Sequence, residues 1–89
     1  MEAVRLTITG RVQGVFFRAN AKQLADQLSI RGWARNVQDG SVEIHAEGQG
    51  EPLRKFVAWC KEGPPAARVD QMLMTAEKSK GYEEFEIKS

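Results

Sequence analysis

The sequence has almost none of the residues that build disulfides and metal centres. Its 89 residues include one cysteine, Cys60, and one histidine, His45. A single cysteine excludes an internal disulfide and a cysteine-rich zinc site. With only one histidine as well, a metal site would have to rest largely on carboxylates. We therefore expect a protein that uses neither a metal nor another cofactor.

Long apolar runs and a surplus of charge of one sign are also absent. No apolar run approaches the roughly 20 residues of a membrane-spanning helix, and residues 1–5 have neither the basic start nor the apolar core of a secretion signal. The 13 basic and 12 acidic residues leave a formal charge of +1, which gives little reason to expect a nucleic acid or a membrane as partner. We expect a cytoplasmic, monomeric protein whose residues 1–89 form one domain.

What the sequence does contain is an alternating segment that leads through a glycine-rich loop into an amphipathic one. Residues 4–9 alternate apolar and polar side chains, which predicts a strand that is buried on one face. From Phe17 to Ile30 the apolar residues recur every three to four positions, which predicts a helix. We place its start at Phe17 rather than at Asn20, and we expect Gly32 to end it as the C′ residue.

The rest of the chain repeats these patterns. Residues 33–37 and 41–47 predict two strands joined by a hairpin turn at residues 38–40, where Asp-Gly tolerates positive φ. Pro52 is a good first residue for a second helix, whose apolar stripe includes Cys60 as a buried group. Residues 69–76 predict a fourth strand with Met72 and Met74 in the core, and residues 82–88 predict a short last strand with Phe85 and Ile87 inward.

This order of elements predicts a ferredoxin-like α+β sandwich. Two β-α-β units with an internal hairpin form a βαββαβ arrangement, in which two helices cover one face of an antiparallel sheet. A short C-terminal strand follows. His45 falls on the polar face of the third strand, where we expect a solvated surface histidine because spacing places no partner beside it. The first strand-to-helix loop then lies at the edge of the sheet, where a ligand can reach it.

That loop is a candidate anion site. Gly10 and Gly14 bracket it, and successive N–H groups in such a turn can converge on an anion. The helix that follows adds N–H groups without partners, and Arg18 stands where loop becomes helix. We predict that this loop binds an oxyanion, with phosphate as the first candidate. The alternative is a purely structural turn whose Phe side chains enter the core, since the segment has neither the Walker nor the dinucleotide-binding glycine pattern.

Two segments of the sequence resemble the acylphosphatase family. Residues 10–18, GRVQGVFFR, resemble its first signature, Gly-x-Val-Gln-Gly-Val-x-aromatic-Arg. Residues 32–36, GWARN, followed by Gly40, Val42 and Gly48, are similar to its second. Both occur in full, in order and at the family's spacing, and the resemblance covers essentially the whole chain.

The resemblance implies a hydrolase that splits the carboxyl–phosphate bond of small acyl phosphates without a metal. By position, the Arg18 guanidinium would bind the phosphoryl group and the Asn36 amide would position the attacking water. The phosphate oxygens would be held by the backbone amides of Gln13, Gly14, Val15, Phe16, Phe17 and Arg18. Without the family, Asn36 is as compatible with stabilising a turn as with contacting a ligand.

Three other functions are compatible with parts of the sequence. A non-catalytic module on the same fold could hold an anion in the same loop, and an acylphosphatase-like domain could handle carbamoyl phosphate, as in larger maturation proteins. An RNA-binding domain shares the βαββαβ order but needs aromatic residues and positive charge on its open sheet face. Here the third strand presents Ser41, Glu43, His45 and Glu47 on that face, where acidic side chains would repel phosphates.

Overall fold

The computed structural model of the protein describes residues 1–88, which form five strands and two helices. In chain order these are β1 (Glu2–Arg11), α1 (Phe17–Leu28), β2 (Arg31–Asn36), β3 (Val42–Gly48), α2 (Gly50–Glu62), β4 (Arg68–Glu77) and β5 (Phe85–Lys88). The elements predicted from periodicity are therefore all present, with shifted ends.

The strands form one sheet in the order β4-β1-β3-β2-β5. The pairs β1–β3, β1–β4 and β2–β3 are antiparallel, whereas β5 lies parallel to β2. The ferredoxin-like α+β fold is confirmed, but the sheet is mixed rather than antiparallel throughout. The reason is that the chain leaves β4 at one edge and crosses to the opposite edge before β5 begins. We call this crossing segment, residues 78–84, the strap.

The core lies between the sheet and the two helices. Leu6 and Ile8 of β1 and the apolar side chains of β3 are buried against α1 and α2. Phe56 of α2 meets Phe85 of β5 edge to face, with 5.7 Å between the ring centroids. Cys60 is buried on the α2 stripe, as predicted, and burial raises the pKa of its thiol. A neutral thiol in this position acts as a small apolar group.

The helix ends show where sequence signals were misread. α1 begins at Phe17, as predicted, but it ends at Leu28, and Ser29 rather than Gly32 takes the left-handed conformation (φ 57°). Gly32 lies within β2 at φ 136°, where a Cβ atom would collide with the carbonyl oxygen of His45. A residue without a Cβ atom is therefore needed at position 32 for the close approach of β2 to β3. α2 begins at Gly50, so Pro52 stands within the first turn, where the missing N–H is harmless.

The alternation in the two edge strands is correct, but burial does not follow from it. Met72 and Met74 of β4 pair with Ile8 and Leu6 and so face the helices. Met72 packs against the core, but Met74 is 55% exposed. Ile87 of β5, predicted to face inward with Phe85, is 43% exposed. Both expectations of burial were wrong: the two residues belong to the edge strands of the sheet, where Met74 lines an open groove beside α2 and Ile87 lines a cleft beside the start of α1.

The prediction of a solvated His45 was wrong. The side chain is completely buried, with Nε2 2.7 Å from a carboxylate oxygen of Glu47 and Nδ1 2.9 Å from one of Glu77. The strap covers this side of the sheet, and the Tyr82 ring meets the imidazole edge to face at 5.3 Å between centroids. The fold brings both carboxylates to His45: Glu47 lies two residues further along β3, and Glu77 belongs to β4.

The acidic residues of this face are paired, so they do not present the free negative charge that the sequence suggested. Glu43 accepts hydrogen bonds from Arg5 at 3.0 Å and from Arg35 at 2.7 Å. Glu47 is buried beneath the strap. Trp33 fills the middle of the face, and its indole N–H donates to the Tyr82 hydroxyl. Repulsion of phosphates by free carboxylates is therefore a weaker argument against RNA binding than the sequence suggested.

Candidate active site

The loop between β1 and α1 has two left-handed residues. Gly14 has φ 73° and Phe16 has φ 63°. The carbonyl of Phe16 accepts hydrogen bonds from both the side-chain amide and the backbone N–H of Asn20, at 2.8 and 3.1 Å. These contacts fix Phe16 as the residue that turns the chain into the helix. Asn20 thus closes the first turn rather than starting the helix.

The backbone N–H groups of residues 14–18 are free for a ligand. They form no hydrogen bond with any other group in residues 1–88. The first turn of α1 contains no acidic side chain, and no side chain caps it. The N-terminus of a helix carries partial positive charge, and alternating left- and right-handed residues turn successive N–H groups toward one point. This segment therefore has the geometry and the charge of an anion-binding loop.

The loop forms one wall of a cleft of about 300 Å³. The cleft is lined by Val12, Gly14, Phe16, Phe17, Arg18, Ala19, Asn36 and Ile87. Of the site residues predicted from the sequence, five therefore line one cavity: Gly14, Phe16, Phe17, Arg18 and Asn36. The cleft brings together the start of α1, the end of β2 and the end of β5.

Gln13 and Val15 were also predicted as site residues, but they do not line the cleft. Val15 is buried in the core. The side-chain amide of Gln13 donates to the carbonyls of Val37 and Ser41, at 2.8 and 2.9 Å. These two carbonyls flank the turn between β2 and β3, so Gln13 fastens the loop to that hairpin. Asn36 stands one residue before Val37, and the tether therefore sets the position of the loop relative to Asn36.

Arg18 is anchored by a partner that the sequence did not reveal. Its Nη1 donates to the carbonyl of Lys88 at 3.0 Å. A guanidinium has five N–H donors in a planar fork, so this bond orients the group and leaves other donors for a ligand. The acceptor is a backbone oxygen 70 residues away, in a strand whose parallel pairing to β2 has no local signal.

Asn36 has an unusual environment for an amide side chain. It is the last residue of β2, and its Oδ1 is buried without a hydrogen-bond partner among residues 1–88. A buried polar atom left unpaired costs about 1–3 kcal/mol. Asn36 lines the cleft, so a molecule bound there is a candidate to supply the hydrogen bond that residues 1–88 do not.

Comparison with known proteins identifies the family. The sequence profile of the acylphosphatase family matches residues 4–87. The chain belongs to the acylphosphatase family. An acylphosphatase of Legionella pneumophila strain Paris is 49% identical over 84 residues, which cover 94% of this chain and 92% of that protein. Members of the family are hydrolases that act on phosphorus-containing acid anhydrides, so this acylphosphatase is an enzyme of that class.

Solved structures of acylphosphatases share the whole fold. The crystal structure of acylphosphatase from Bacillus subtilis superposes with a TM-score of 0.95 at 39% identity and covers 100% of both chains. The structure of an acylphosphatase from Coxiella burnetii superposes with a TM-score of 0.93 at 32% identity, over 98% of this chain and 92% of the other. The mixed sheet with its parallel fifth strand thus belongs to a fold that this chain shares with solved acylphosphatases.

Residues 1–88 contain neither a metal-binding group of side chains nor a membrane-spanning helix. Within residues 1–88, no three side chains of His, Cys, Asp or Glu are grouped so that they could hold a metal ion. Neither helix in that range has the length and the apolar character to cross a membrane.

Proposed function

We propose that this acylphosphatase hydrolyses small acyl phosphates to a carboxylate and inorganic phosphate, using only its own side chains and backbone amides. The observation that carries the proposal is the cleft lined by Gly14, Arg18 and Asn36, which lies against a loop whose N–H groups at residues 14–18 are unpaired within residues 1–88. Together these groups would meet the requirements of the reaction.

The first requirement is to hold the phosphoryl group. We assign this to the loop amides from Gln13 to Arg18 and to the free N–H groups of the Arg18 guanidinium. The planar fork of arginine can make paired hydrogen bonds to two phosphate oxygens. In the loose transition state of phosphoryl transfer, negative charge spreads over the equatorial oxygens, so fixed donors around them lower the barrier.

The second requirement is to place a water in line with the bond that breaks. We assign this to Asn36. Its buried Oδ1 can accept a hydrogen bond from a water in the cleft, and this bond would relieve the cost of leaving that oxygen unpaired. The water would then be oriented with a lone pair toward phosphorus. Holding the reactants in this geometry removes much of the entropic barrier to attack.

The last requirement is to manage the proton and the leaving group. The leaving carboxylate has a low proton affinity and can depart without a general acid. Among the described residues lining the cleft, none but Arg18 is ionisable. We therefore propose that the proton of the attacking water passes to an oxygen of the substrate phosphate. This route requires no protein base and fits a transition state that needs mainly positioning and charge stabilisation.

Incubation with acetyl phosphate, with release of inorganic phosphate as the readout, tests the proposal. We expect turnover by the wild-type protein and by Arg54→Ala, which removes an exposed arginine of α2 whose ion pair within residues 1–88 is with Glu51 of the same helix. Arg18→Ala should lose most of this activity. Protection of the acetyl phosphate without release of phosphate would contradict hydrolysis and would indicate a binding module instead.

A further inference from the structure

The cleft has an apolar rim next to its polar floor. Phe16 is 76% exposed and Ile87 is 43% exposed, yet both side chains line the cavity that also contains Arg18. Val12 and Ala19 add further apolar surface. Exposed large apolar side chains that line a cleft are typical of ligand-binding surfaces rather than of the core.

The stability of the fold does not explain Phe16. A bulky residue in the left-handed region is a strained position that glycine or asparagine would occupy at lower cost. A buried side chain can offset such strain by packing, but Phe16 is mostly in solvent. Strain of this kind persists at functional sites, where the side chain contributes to binding. The exposed ring at this position is therefore available to a ligand in the cleft.

Ile87 lies on the other side of the same rim. It shares a face of β5 with the buried Phe85 but extends beyond the core into the cleft. The next residue, Lys88, provides the carbonyl that orients Arg18. The apolar side chain is thus held at a fixed position beside the guanidinium. A ligand bound by Arg18 in this cleft would therefore lie near both apolar side chains, Phe16 and Ile87.

We propose that Phe16 and Ile87 form an acyl-binding subsite that selects acyl phosphates with apolar, uncharged acyl groups. This inference rests on the proposed function. Contact with the rim removes the apolar surface of a phenyl or alkyl group from water, which favours binding in proportion to the area. An acyl group with a second carboxylate gains nothing there, because Arg18 is the only charged residue among the described lining residues and already serves the phosphate.

Substrate pairs of matched size test the selection. Butyryl phosphate and succinyl phosphate both have four-carbon acyl groups, but only the second has an additional charge. We expect the wild-type kcat/KM to favour butyryl phosphate by about fivefold or more, because desolvating a carboxylate on an apolar surface is unfavourable. Benzoyl phosphate should likewise be favoured over acetyl phosphate.

The variant that isolates the subsite is Ile87→Thr, which keeps a β-branched side chain in β5 and removes apolar surface. The ratio of kcat/KM for benzoyl to acetyl phosphate should fall by about fivefold, the effect of one or two buried methylene groups. Ile87→Leu should retain the wild-type ratio. The matched control is Leu73→Thr, at a 56% exposed position on β4 at the opposite edge of the sheet, which should leave the ratio unchanged.

Phe16→Asn provides a second, independent variant, since asparagine adopts the left-handed conformation and lacks the ring. It should also lower the benzoyl-to-acetyl ratio. If the wild type hydrolyses both substrates and neither variant changes the ratio, the subsite is wrong while the proposed function stands. If the wild type hydrolyses none of the four acyl phosphates, the proposed function fails first. Each variant is judged by its ratio of kcat/KM for benzoyl phosphate to kcat/KM for acetyl phosphate. A variant that loses activity equally toward both substrates leaves this ratio unchanged and counts against the subsite.

Discussion

Arg18 combines two kinds of contact in one side chain. One N–H of its guanidinium is bound to the Lys88 carbonyl, and the remaining donors lie at the cleft. The first contact fixes the plane of the fork, so that in the proposed reaction the other donors would meet a phosphate without further loss of side-chain freedom. Such preorganisation is the main source of catalytic stabilisation by hydrogen-bond donors.

We therefore expect Arg18→Ala to lower kcat/KM for acetyl phosphate by about a hundred- to a thousandfold. Arg18→Lys should recover little, since an ammonium group cannot bind the Lys88 carbonyl and two phosphate oxygens in one plane. Steady-state kinetics measures both. Recovery of more than about a tenth of wild-type activity by the lysine variant would show that charge alone, not the fork, is what matters.

We expect Asn36 to support catalysis while adding nothing to the stability of the fold. Asn36→Ala removes the unpaired buried oxygen, so the free energy of unfolding should stay unchanged or rise by about 1 kcal/mol. The kcat for acetyl phosphate should fall by about a hundredfold. Inhibition by inorganic phosphate should persist, because Arg18 and the loop remain.

The control for Asn36 is Gln38→Ala, which removes an exposed amide of the same hairpin and should alter neither quantity. Denaturant unfolding and steady-state kinetics report the two effects separately. An Asn36→Ala protein that turns over normally but no longer binds phosphate would reverse the assignment of Asn36 and give it a binding role instead.

At the scale of single residues, the sequence predicted residues that line the cleft but not the hydrogen bonds that hold them in place. Gly14, Arg18 and Asn36 stand in short motifs with local signals, and the cleft contains all three. The bonds of Gln13 to the hairpin and of Arg18 to Lys88 join residues 24 to 70 positions apart. All three acceptors, on Val37, Ser41 and Lys88, are backbone carbonyls, which have no residue-specific signature in a sequence.

Among the elements, the strap has the most concentrated set of polar contacts. Buried Glu47 of β3 accepts hydrogen bonds from the Ser79 hydroxyl and the Gly81 N–H, both at 3.1 Å, and from the N–H of Lys80. It also meets His45 at 2.7 Å. One carboxylate thus holds the segment that leads from β4 to β5. Because the Lys88 carbonyl of β5 binds Arg18, the strap is connected through β5 to the candidate active site.

Glu47 should make stability depend on pH in the acid range. Burial raises the pKa of this carboxyl, but the hydrogen bonds from His45 and the strap outweigh it and lower the pKa from 4.5 to about 2. A carboxyl with a depressed pKa in the folded state stabilises the fold above its unfolded pKa. This stabilisation of about 3 kcal/mol is then lost as the pH falls from about 4.5 to about 2.

The matched variant is Glu47→Gln, which has no charge to lose. At neutral pH it should be less stable by about 3 kcal/mol, because the donors of the strap lose a charged acceptor. The stability difference from wild type should shrink between pH 4.5 and about 2, since other carboxylates titrate in both proteins. Denaturant unfolding across this range measures the difference. A constant gap over the whole range would mean that Glu47 is not the responsible group.

The strap also shows what the periodicity of a sequence does not predict about whole elements. Periodicity predicted the type of every helix and strand because each buries one stripe or one face. It could not predict that a segment without periodicity covers the second face of the sheet, and so His45 was placed in solvent. The parallel pairing of β5 depends on the same crossing, which only the assembled chain determines.

The whole molecule matters to the site because three distant segments build it. The loop follows β1, Asn36 ends β2, and Ile87 and Lys88 end β5 at the C-terminal edge of the sheet. No short segment of the chain contains all the groups of the cleft. Binding of a ligand there should therefore be coupled to global unfolding rather than to local ordering of the loop.

Inorganic phosphate, a product of the proposed reaction, should accordingly raise the melting temperature. A ligand that binds only the folded state stabilises it by RT ln(1 + [L]/Kd), or about 1.4 kcal/mol at ten times Kd. For a domain of this size, that corresponds to roughly 5 to 10 °C. Calorimetry at rising phosphate concentration, with chloride at equal ionic strength as the control, measures the shift.

Arg18→Ala should show little of this shift, whereas Arg54→Ala, which removes an exposed arginine far from the cleft, should show all of it. This comparison separates binding in the cleft from general stabilisation by salt, because phosphate also acts on proteins by exclusion from their surface. An equal rise in all three proteins would assign the effect to exclusion. Only a rise that depends on Arg18 places the bound phosphate between the loop, β2 and β5, where the fold as a whole must hold it.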